Sequence, residues 1–310
     1  MSSLAAPDPR GSFGNRAVNW IDAHLKWILI APSVIFVGLL IVFPIGYTIF
    51  LSLTDAAGAV TRPFRFVGLK NYVTWLTDVE RFWPAAGRTA YFTVLALVIE
   101  LVLGLAIALL LRKTFRGQGL VRVFILLPLV ATPVAVGMMW LLIFEPTIGF
   151  ANTVMKFLGL PAQGWLSDSG QALNTLIFID VWQWTPMVVL ILLAGLSTLP
   201  EEPDEAARVD GANAWQRFRH ITLPLLAPVI GSAAILRSID ALKTFDIIYA
   251  TKGMGGGSSH EAETLNILAY GQAFQFSQYG KASALLILFF LMIIISLLLL
   301  AILRKKGTRV

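Results

Sequence analysis

The polar stretch EEPDEAARVDGANAWQRFRHITLPLLAP occupies residues 201–228, between two long apolar segments. Pro203 and Asp204 are predicted to open a short helix, with acidic residues in its first turn at the positive end of the helix dipole. Gly211 can end that helix in a left-handed conformation that a side chain with a Cβ resists. A second helix is expected from about Asn213 onward. The stretch predicts a helix–turn–helix unit whose small side chains another protein can approach; an ordinary amphipathic loop is the alternative.

Composition places the rest of the chain in a membrane. Of 310 residues, 57% are hydrophobic and 14% are charged, and the mean hydropathy is +0.75. Soluble domains carry about 25% charged residues. Because the apolar segments run almost from end to end, no stretch remains for a separate soluble domain.

Several function classes are excluded by what the sequence lacks. There is no cysteine, and the three histidines are far apart, so no metal site is expected. No catalytic constellation and no phosphate-binding G-x-x-x-x-G-K-[ST] loop is present, so no catalytic residue and no bound cofactor are expected in this chain. The net charge of +6 comes from basic residues beside apolar segments, which indicates membrane orientation rather than nucleic-acid binding.

Six segments are long and apolar enough to cross about 30 Å of hydrocarbon as helices. Pro224 and Pro228 are predicted to begin the fifth, where the first amide groups need no partner inside the helix. The fifth has the weakest apolar signal, because it carries Arg237 and Asp240. The predicted spans are 27–51, 89–111, 123–144, 173–196, 223–242 and 282–303.

Lysine and arginine predict the orientation, because they concentrate on the cytoplasmic side. They cluster in the segment 1–26, in the short loop after the second span and in the basic tail 304–310. Both termini and the loop 200–224 are therefore expected in the cytoplasm, with a six-helix permease domain at 27–303. Val18, Ile21 and Leu25 recur at helical spacing, which predicts a helix along the membrane surface before the first span; a plain polar tail is the alternative.

One set of motifs resembles a known family. It comprises Glu205-Ala206-Ala207 and Asp210-Gly211-Ala212, the segment 66–72 (FVGLKNY), Leu126-Leu127-Pro128, Gly149 with Asn152, the segment 245–249 (FDIIY) and the segment 280–284 (GKASA). These resemble type I ABC importer permeases, most closely the first (F-type) permease of the maltose and glycerol-phosphate branch. Outside the fifth span, Thr251-Lys252-Gly253-Met254-Gly255-Gly256 lacks the proline usual in that family. The resemblance therefore does not imply a contact of that loop with a binding protein.

The resemblance implies an all-α type I permease fold in the bacterial inner membrane, and it implies partners. They are a second permease subunit, a homodimeric ATP-binding subunit that holds ATP and Mg²⁺, and an extracytoplasmic solute-binding protein. The residues that would dock the ATPase are Glu205, Ala206, Ala207, Asp210 and Gly211.

Ionisable residues inside spans should face a cavity or a partner, because an unpaired charge there is costly. Glu100 is expected to bond to a neighbouring helix. Asp180 lies in the sequence Asp-Val-Trp-Gln-Trp, whose aromatic and amide groups suit a sugar ring, although aromatic packing is equally compatible. By the resemblance, the solute is held where the fourth and fifth spans meet. The substrate-binding candidates are Gln183, Trp184, Met187, Arg237, Asp240, Ala241 and Thr244.

The predicted function is the import of a sugar or sugar-like solute. A neutral sugar or polyol is favoured, but Arg237 could bind an anionic solute such as a sulfonated sugar or glycerol phosphate. Arg237 and Asp240 could instead pair only with each other. A stand-alone secondary transporter or channel would explain the spans but not the loop 200–224.

Overall fold

The computed structural model describes residues 11–59 and 62–307, which fold mainly into helices. Within these ranges the one β feature is an isolated bridge between Thr54 and Phe66. The predicted all-α class is confirmed. The helices are α1 (Gly11–Ser52), α2 (Lys70–Leu76), α3 (Phe82–Arg112), α4 (Gln118–Val130), α5 (Pro133–Ile143), α6 (Phe150–Phe157), α7 (Ala172–Ser197), α8 (Glu202–Val209), α9 (Ala214–Arg217), α10 (Leu223–Leu242), α11 (Asp246–Lys252), α12 (Leu265–Tyr270) and α13 (Tyr279–Gly307).

The N-terminal helix α1 belongs to one unit of the chain, and residues from Ser52 onward form the second. α1 is unbroken although it contains Pro32 and Pro44. Its apolar part, Trp20–Ser52, has 33 residues and would be about 50 Å long, against a hydrocarbon thickness of about 30 Å. No break separates an interfacial helix from the first span. That α1 begins along the membrane surface stays a prediction, and residues 1–10 lie outside the described residues.

Five helical stretches in the described chain are long and apolar enough to cross a membrane, and a bent pair, α4 and α5, makes a sixth if it counts as one span. The stretches agree with the predicted spans in order and approximate position. Several are longer than predicted, because the helices continue past the apolar residues used to recognise them. The five stretches are Trp20–Ser52, Phe82–Arg112, Ala172–Ser197, Ala214–Lys252 and Tyr279–Leu299.

The third predicted span is not one continuous helix. α4 ends at Val130, α5 begins at Pro133, and the two helices differ in direction by 100°. Ala131 and Thr132 are extended, with ψ angles of 140° and 142°. A proline ring forces the preceding residue out of the helical region, so Thr132 cannot continue α4. The predicted span over 123–144 is therefore formed by two helices that meet at a sharp bend rather than by one continuous helix.

Helices α3, α7 and α10 pack closely because small residues lie where they cross. A Cβ placed on Gly104 of α3 would lie 2.6 Å from Cγ1 of Val188 on α7. A Cβ on Gly195 of α7 would lie 2.7 Å from Cγ1 of Val229 on α10. Glycines of this kind let helix backbones approach inside a membrane, where packing replaces the hydrophobic effect as the driving force.

Two asparagines in the family-like segments hold loops by their side-chain amides. Asn71 donates to the carbonyls of Ser52 and Thr54, at 2.9 and 2.8 Å. Asn152 donates to the carbonyls of Pro146 and Gln163, at 2.8 and 2.9 Å. In each case the side-chain amide donates to carbonyls that lie at the end of a helix or between helices. These two residues therefore have structural roles.

Candidate functional site

The loop between α7 and α10 forms the predicted helix–turn–helix. α8 begins at Glu202 with Pro203 in its first turn, and all of its residues are at least partly exposed. Gly211 follows it with a φ of +82°. The Gly211 amide donates to the Arg208 carbonyl at 3.1 Å and the Ala212 amide donates to the Ala207 carbonyl at 2.9 Å. This pair of bonds is a Schellman motif, which requires the left-handed conformation that glycine adopts without strain.

Polar side chains tie α8 to α9. Asp204 pairs with Arg208 at 2.8 Å within α8 and with Arg217 of α9 at 3.5 Å. Asn213 caps α9 through a reciprocal capping box with Gln216. The two short helices therefore form one unit. It contains all five predicted docking residues, of which Glu205, Ala206, Asp210 and Gly211 are exposed and Ala207 is partly exposed.

The chain enters α10 without a fresh helix start. α9 continues through a π-helical turn at Phe218–Thr222, in which the Leu223 amide donates to the Phe218 carbonyl five residues earlier. Pro224 lies in the first turn of α10, as predicted, but the first amides there are not free, because the helix continues from α9. Wider turns of this kind are known within helices at functional sites, and here one lies directly before Pro224, which has no amide to donate. α9 and α10 thus form one continuous helical rod, and α8 precedes it.

A buried group of three charged residues joins α3, α7 and α10. Arg237 of α10 lies 2.6 Å, Nε to Oε2, from Glu100 of α3, and its Nη2 also pairs with the Asp180 carboxylate of α7. Each of the three side chains is at most 2% exposed. The predicted bond from Glu100 to a neighbouring helix is confirmed. The alternative pairing of Arg237 with Asp240 is wrong, because Asp240 lies instead 3.7 Å from Lys243.

A cavity of about 250 Å³ opens beside this charged group. Of the seven substrate-binding candidates, Gln183, Trp184, Asp240 and Thr244 line it, whereas Met187, Arg237 and Ala241 do not. The cavity is lined by Pro133, Asp180, Gln183, Trp184, Asp240, Lys243, Thr244, Phe245, Asp246 and Ile247.

The two tryptophans flanking Gln183 have different surroundings. Trp182 packs edge-on against Trp140, with ring centroids 5.4 Å apart, so aromatic packing accounts for it. Trp184 faces the cavity, and the guanidinium of Arg237 lies 5.5 Å from its ring centroid. Gln183 donates to the Ala131 carbonyl at 3.2 Å, in the break between α4 and α5.

Sequence reasoning missed Pro133, Phe245, Asp246 and Ile247 as lining residues. The last three lie in the segment 245–249, which carries part of the family resemblance but did not lead to a predicted site. Pro133 could have been found from the pre-proline rule, since a broken span leaves backbone groups that must face protein or a cavity.

An ion pair holds the loop outside the fifth span. Lys252 lies 2.5 Å from Glu261 and donates to the Leu166 carbonyl at 2.7 Å. Burial acts to raise the pKa of the Glu261 carboxyl, but hydrogen bonds from Lys252 and from the backbone hold that pKa below its ordinary value. The glycine-rich segment of this loop includes a short 3₁₀ turn, Met254–Gly256.

Residues 100–308 match the family described as binding-protein-dependent transport system inner membrane component. This chain belongs to that family. The permease is 36% identical to the trehalose/maltose transport system permease protein MalF of Thermococcus litoralis over 85% of this chain and 88% of the relative. It is 35% identical to the sulfoquinovosyl glycerol transport system permease protein SmoG of Agrobacterium fabrum over 87% and 88%.

The fold of the permease is also found in a solved structure. The crystal structure of a bacterial alginate ABC transporter, in complex with an alginate pentasaccharide-bound periplasmic protein, contains a chain with a TM-score of 0.79 and 19% identity. The similarity covers 94% of this permease and 97% of that chain. The type I ABC importer permease fold predicted from the sequence is confirmed.

Proposed function

We propose that this permease passes a neutral sugar or polyol through the inner membrane, driven by ATP hydrolysis on a separate subunit. The observation that carries the coupling part is the exposed unit formed by α8 and α9, which continues directly into α10. A movement of α8 caused by the ATPase would be transmitted through the ion pair that joins α8 to α9, and then along the continuous helix to α10, which carries Arg237. The chain has no phosphate-binding loop, so ATP and Mg²⁺ belong to the partner.

The charges of the cavity support a neutral solute. Three aspartates, Asp180, Asp240 and Asp246, line it together with a single lysine, Lys243. Arg237, the residue on which an anionic solute would depend, is already bonded to two carboxylates. A sulfonate or phosphate would therefore meet more negative than positive charge, whereas hydroxyl groups can donate to carboxylates and accept from amides.

The ring of Trp184 and the amide of Gln183 further suit a sugar, because an aromatic face packs against the apolar face of a sugar ring while amides bond to its hydroxyls. The relatives do not decide the question of charge, since their names include both trehalose/maltose and a sulfonated glycerol glycoside. The anionic solute is therefore kept as the alternative to be tested.

The proposed assembly contains this permease, a second permease, two ATP-binding subunits and an extracytoplasmic solute-binding protein, with both termini in the cytoplasm. A binding protein is supported by the family, whose transport systems depend on one, and by the alginate transporter, which was crystallised with its periplasmic protein. A second permease is supported by the small size of the cavity, since about 250 Å³ is less than the usual 300–1,000 Å³ of a ligand site.

The turn at Gly211 provides the test of coupling. A Cβ at Gly211 would meet no atom within 4 Å, so a substitution acts only through its positive φ. Gly211→Val should strain the turn by about 1–2 kcal/mol and displace α8, whereas Gly211→Asn tolerates the left-handed conformation and should behave like the wild type. We expect the valine variant to retain less ATPase on purification and to lose ATP-driven uptake. Normal ATPase retention and uptake by the valine variant would refute the proposed role.

A further inference from the structure

A second cavity lies at the end of the helices from which the unit formed by α8 and α9 projects. It has a volume of about 510 Å³ and lies between the last turn of α3, the first turns of α4 and the last turns of α7. We call it the Arg112–Arg122 groove. Its lining residues are Leu111, Arg112, Arg122, Leu190, Leu193, Ala194, Leu196, Ser197, Leu199 and Glu201.

The groove has an apolar wall and a basic rim, which complement the acyl chains and the anionic headgroup of a phospholipid. One wall is apolar, and its leucines include Leu190, which is 43% exposed. The rim carries the guanidiniums of Arg112 and Arg122, both exposed. Within the part of the chain that the structure describes, neither guanidinium forms an ion pair. One carboxylate, that of Glu201, opposes them at the rim.

The position of the two arginines is fixed by the turn between α3 and α4. Gln118, the first residue of α4, donates through its side-chain amide to the carbonyls of Leu111 and Lys113, at 2.7 and 3.2 Å. These bonds satisfy carbonyls at the end of α3 and hold the start of α4 against it. Arg112 and Arg122 are therefore carried by rigid helix ends rather than by a free loop.

We propose that the Arg112–Arg122 groove binds an anionic phospholipid of the membrane leaflet on this side. The lipid phosphate lies between the two guanidiniums, and the acyl chains lie along the leucine wall. Arginine is suited to this role because its planar fork donates two parallel hydrogen bonds to phosphate oxygens. Basic pockets between membrane helices on the cytoplasmic side are known to hold such headgroups.

The experiment measures lipid retained by the whole transporter complex, in nanodiscs of phosphatidylcholine with or without phosphatidylglycerol, by native mass spectrometry. The variant Arg112→Gln/Arg122→Gln removes both groove charges. The control Lys113→Gln/Arg116→Gln removes two charges from the turn between α3 and α4, from residues that do not line the groove. At about 1 kcal/mol per basic residue, the groove variant should retain phosphatidylglycerol roughly 30-fold less well, and the control should stay close to wild type.

A variant of opposite sign separates binding from damage to the fold. Glu201→Gln removes the carboxylate that repels the phosphate, so it should increase phosphatidylglycerol retention. Equal losses in the groove variant and the control, or a lower retention in Glu201→Gln, would overturn the proposal. Displacement of the lipid by soluble glycerol phosphate at matched concentration would also overturn it, because the groove would then hold a free phosphate ester. None of these outcomes depends on which solute the permease transports.

Discussion

At the residue scale, substitutions in the charged group of Glu100, Asp180 and Arg237 are expected to change the stability of the fold most. Removing the charge of Arg237 would leave two carboxylates buried without a counter-charge. Breaking a buried ion pair in this way costs about 3–5 kcal/mol, whereas replacing all partners together is often close to neutral. The group therefore makes a clear prediction about stability.

We expect Arg237→Met to lower the unfolding temperature of the purified complex strongly, and the triple variant Glu100→Gln/Asp180→Asn/Arg237→Met to recover much of the loss. Asp240→Asn is the matched control. The Asp240 side chain is 40% exposed, and its pair with Lys243 is long, at 3.7 Å. Because exposed ion pairs contribute little, the loss of this charge should change the unfolding temperature little. Thermal unfolding in detergent is the measurement. A triple variant no more stable than the single one would contradict this account.

The same residues illustrate what sequence alone can provide. Each was recognisable as a costly charge inside a span that needed a partner. The identity of the partner was not recognisable, because Glu100 and Arg237 are 137 residues apart and meet only when α3 and α10 pack. The pairing of Arg237 with Asp240 looked plausible because a spacing of three residues can be read from one helix, and it is this pairing that is wrong.

At the scale of elements, hydropathy predicted where helices occur but not how they bend. The apolar window over 123–144 passes through Ala131 and Thr132 without a change in composition, so averaging conceals the break. Pro133 indicates the break, because a proline disfavours the helical conformation in the residue before it. The π-helical turn at Phe218–Thr222 had no such signal, since it depends on how α9 and α10 join.

The packing of α3 against α7 gives a prediction at this scale. Gly104 and Gly87 lie on the same helix, but a Cβ on Gly87 would meet nothing within 4 Å, whereas a Cβ on Gly104 would lie 2.6 Å from Val188. Gly87→Ala should leave the unfolding temperature unchanged or raise it, because alanine favours a helix by about 1 kcal/mol. Gly104→Ala should lower it, because overpacking costs about 1–3 kcal/mol. Equal shifts in the two variants would show that the helices are not closely packed at Gly104.

At the scale of the whole molecule, the order of the spans, the helix–turn–helix of the loop 200–224 and the family could be predicted from the sequence. The loop was predictable because its determinants are local, namely the proline and acids that begin α8 and the glycine that ends it. The cavity was predicted only in part. Four candidates line it together with Asp180 of α7, and the other lining residues come from the α4–α5 break and from the segment after α10, whose approach depends on the tertiary fold.

The central claim is that this permease couples ATP hydrolysis on another subunit to the passage of a neutral sugar. The most direct measurement is solute-stimulated ATP hydrolysis and uptake by the complete transporter in proteoliposomes, with binding protein added, across matched neutral and sulfonated or phosphorylated sugars. We predict that a neutral sugar or polyol stimulates both activities and that its anionic analogue does not. Uptake that proceeds without the ATPase subunits, or stimulation by anionic solutes alone, would contradict the claim.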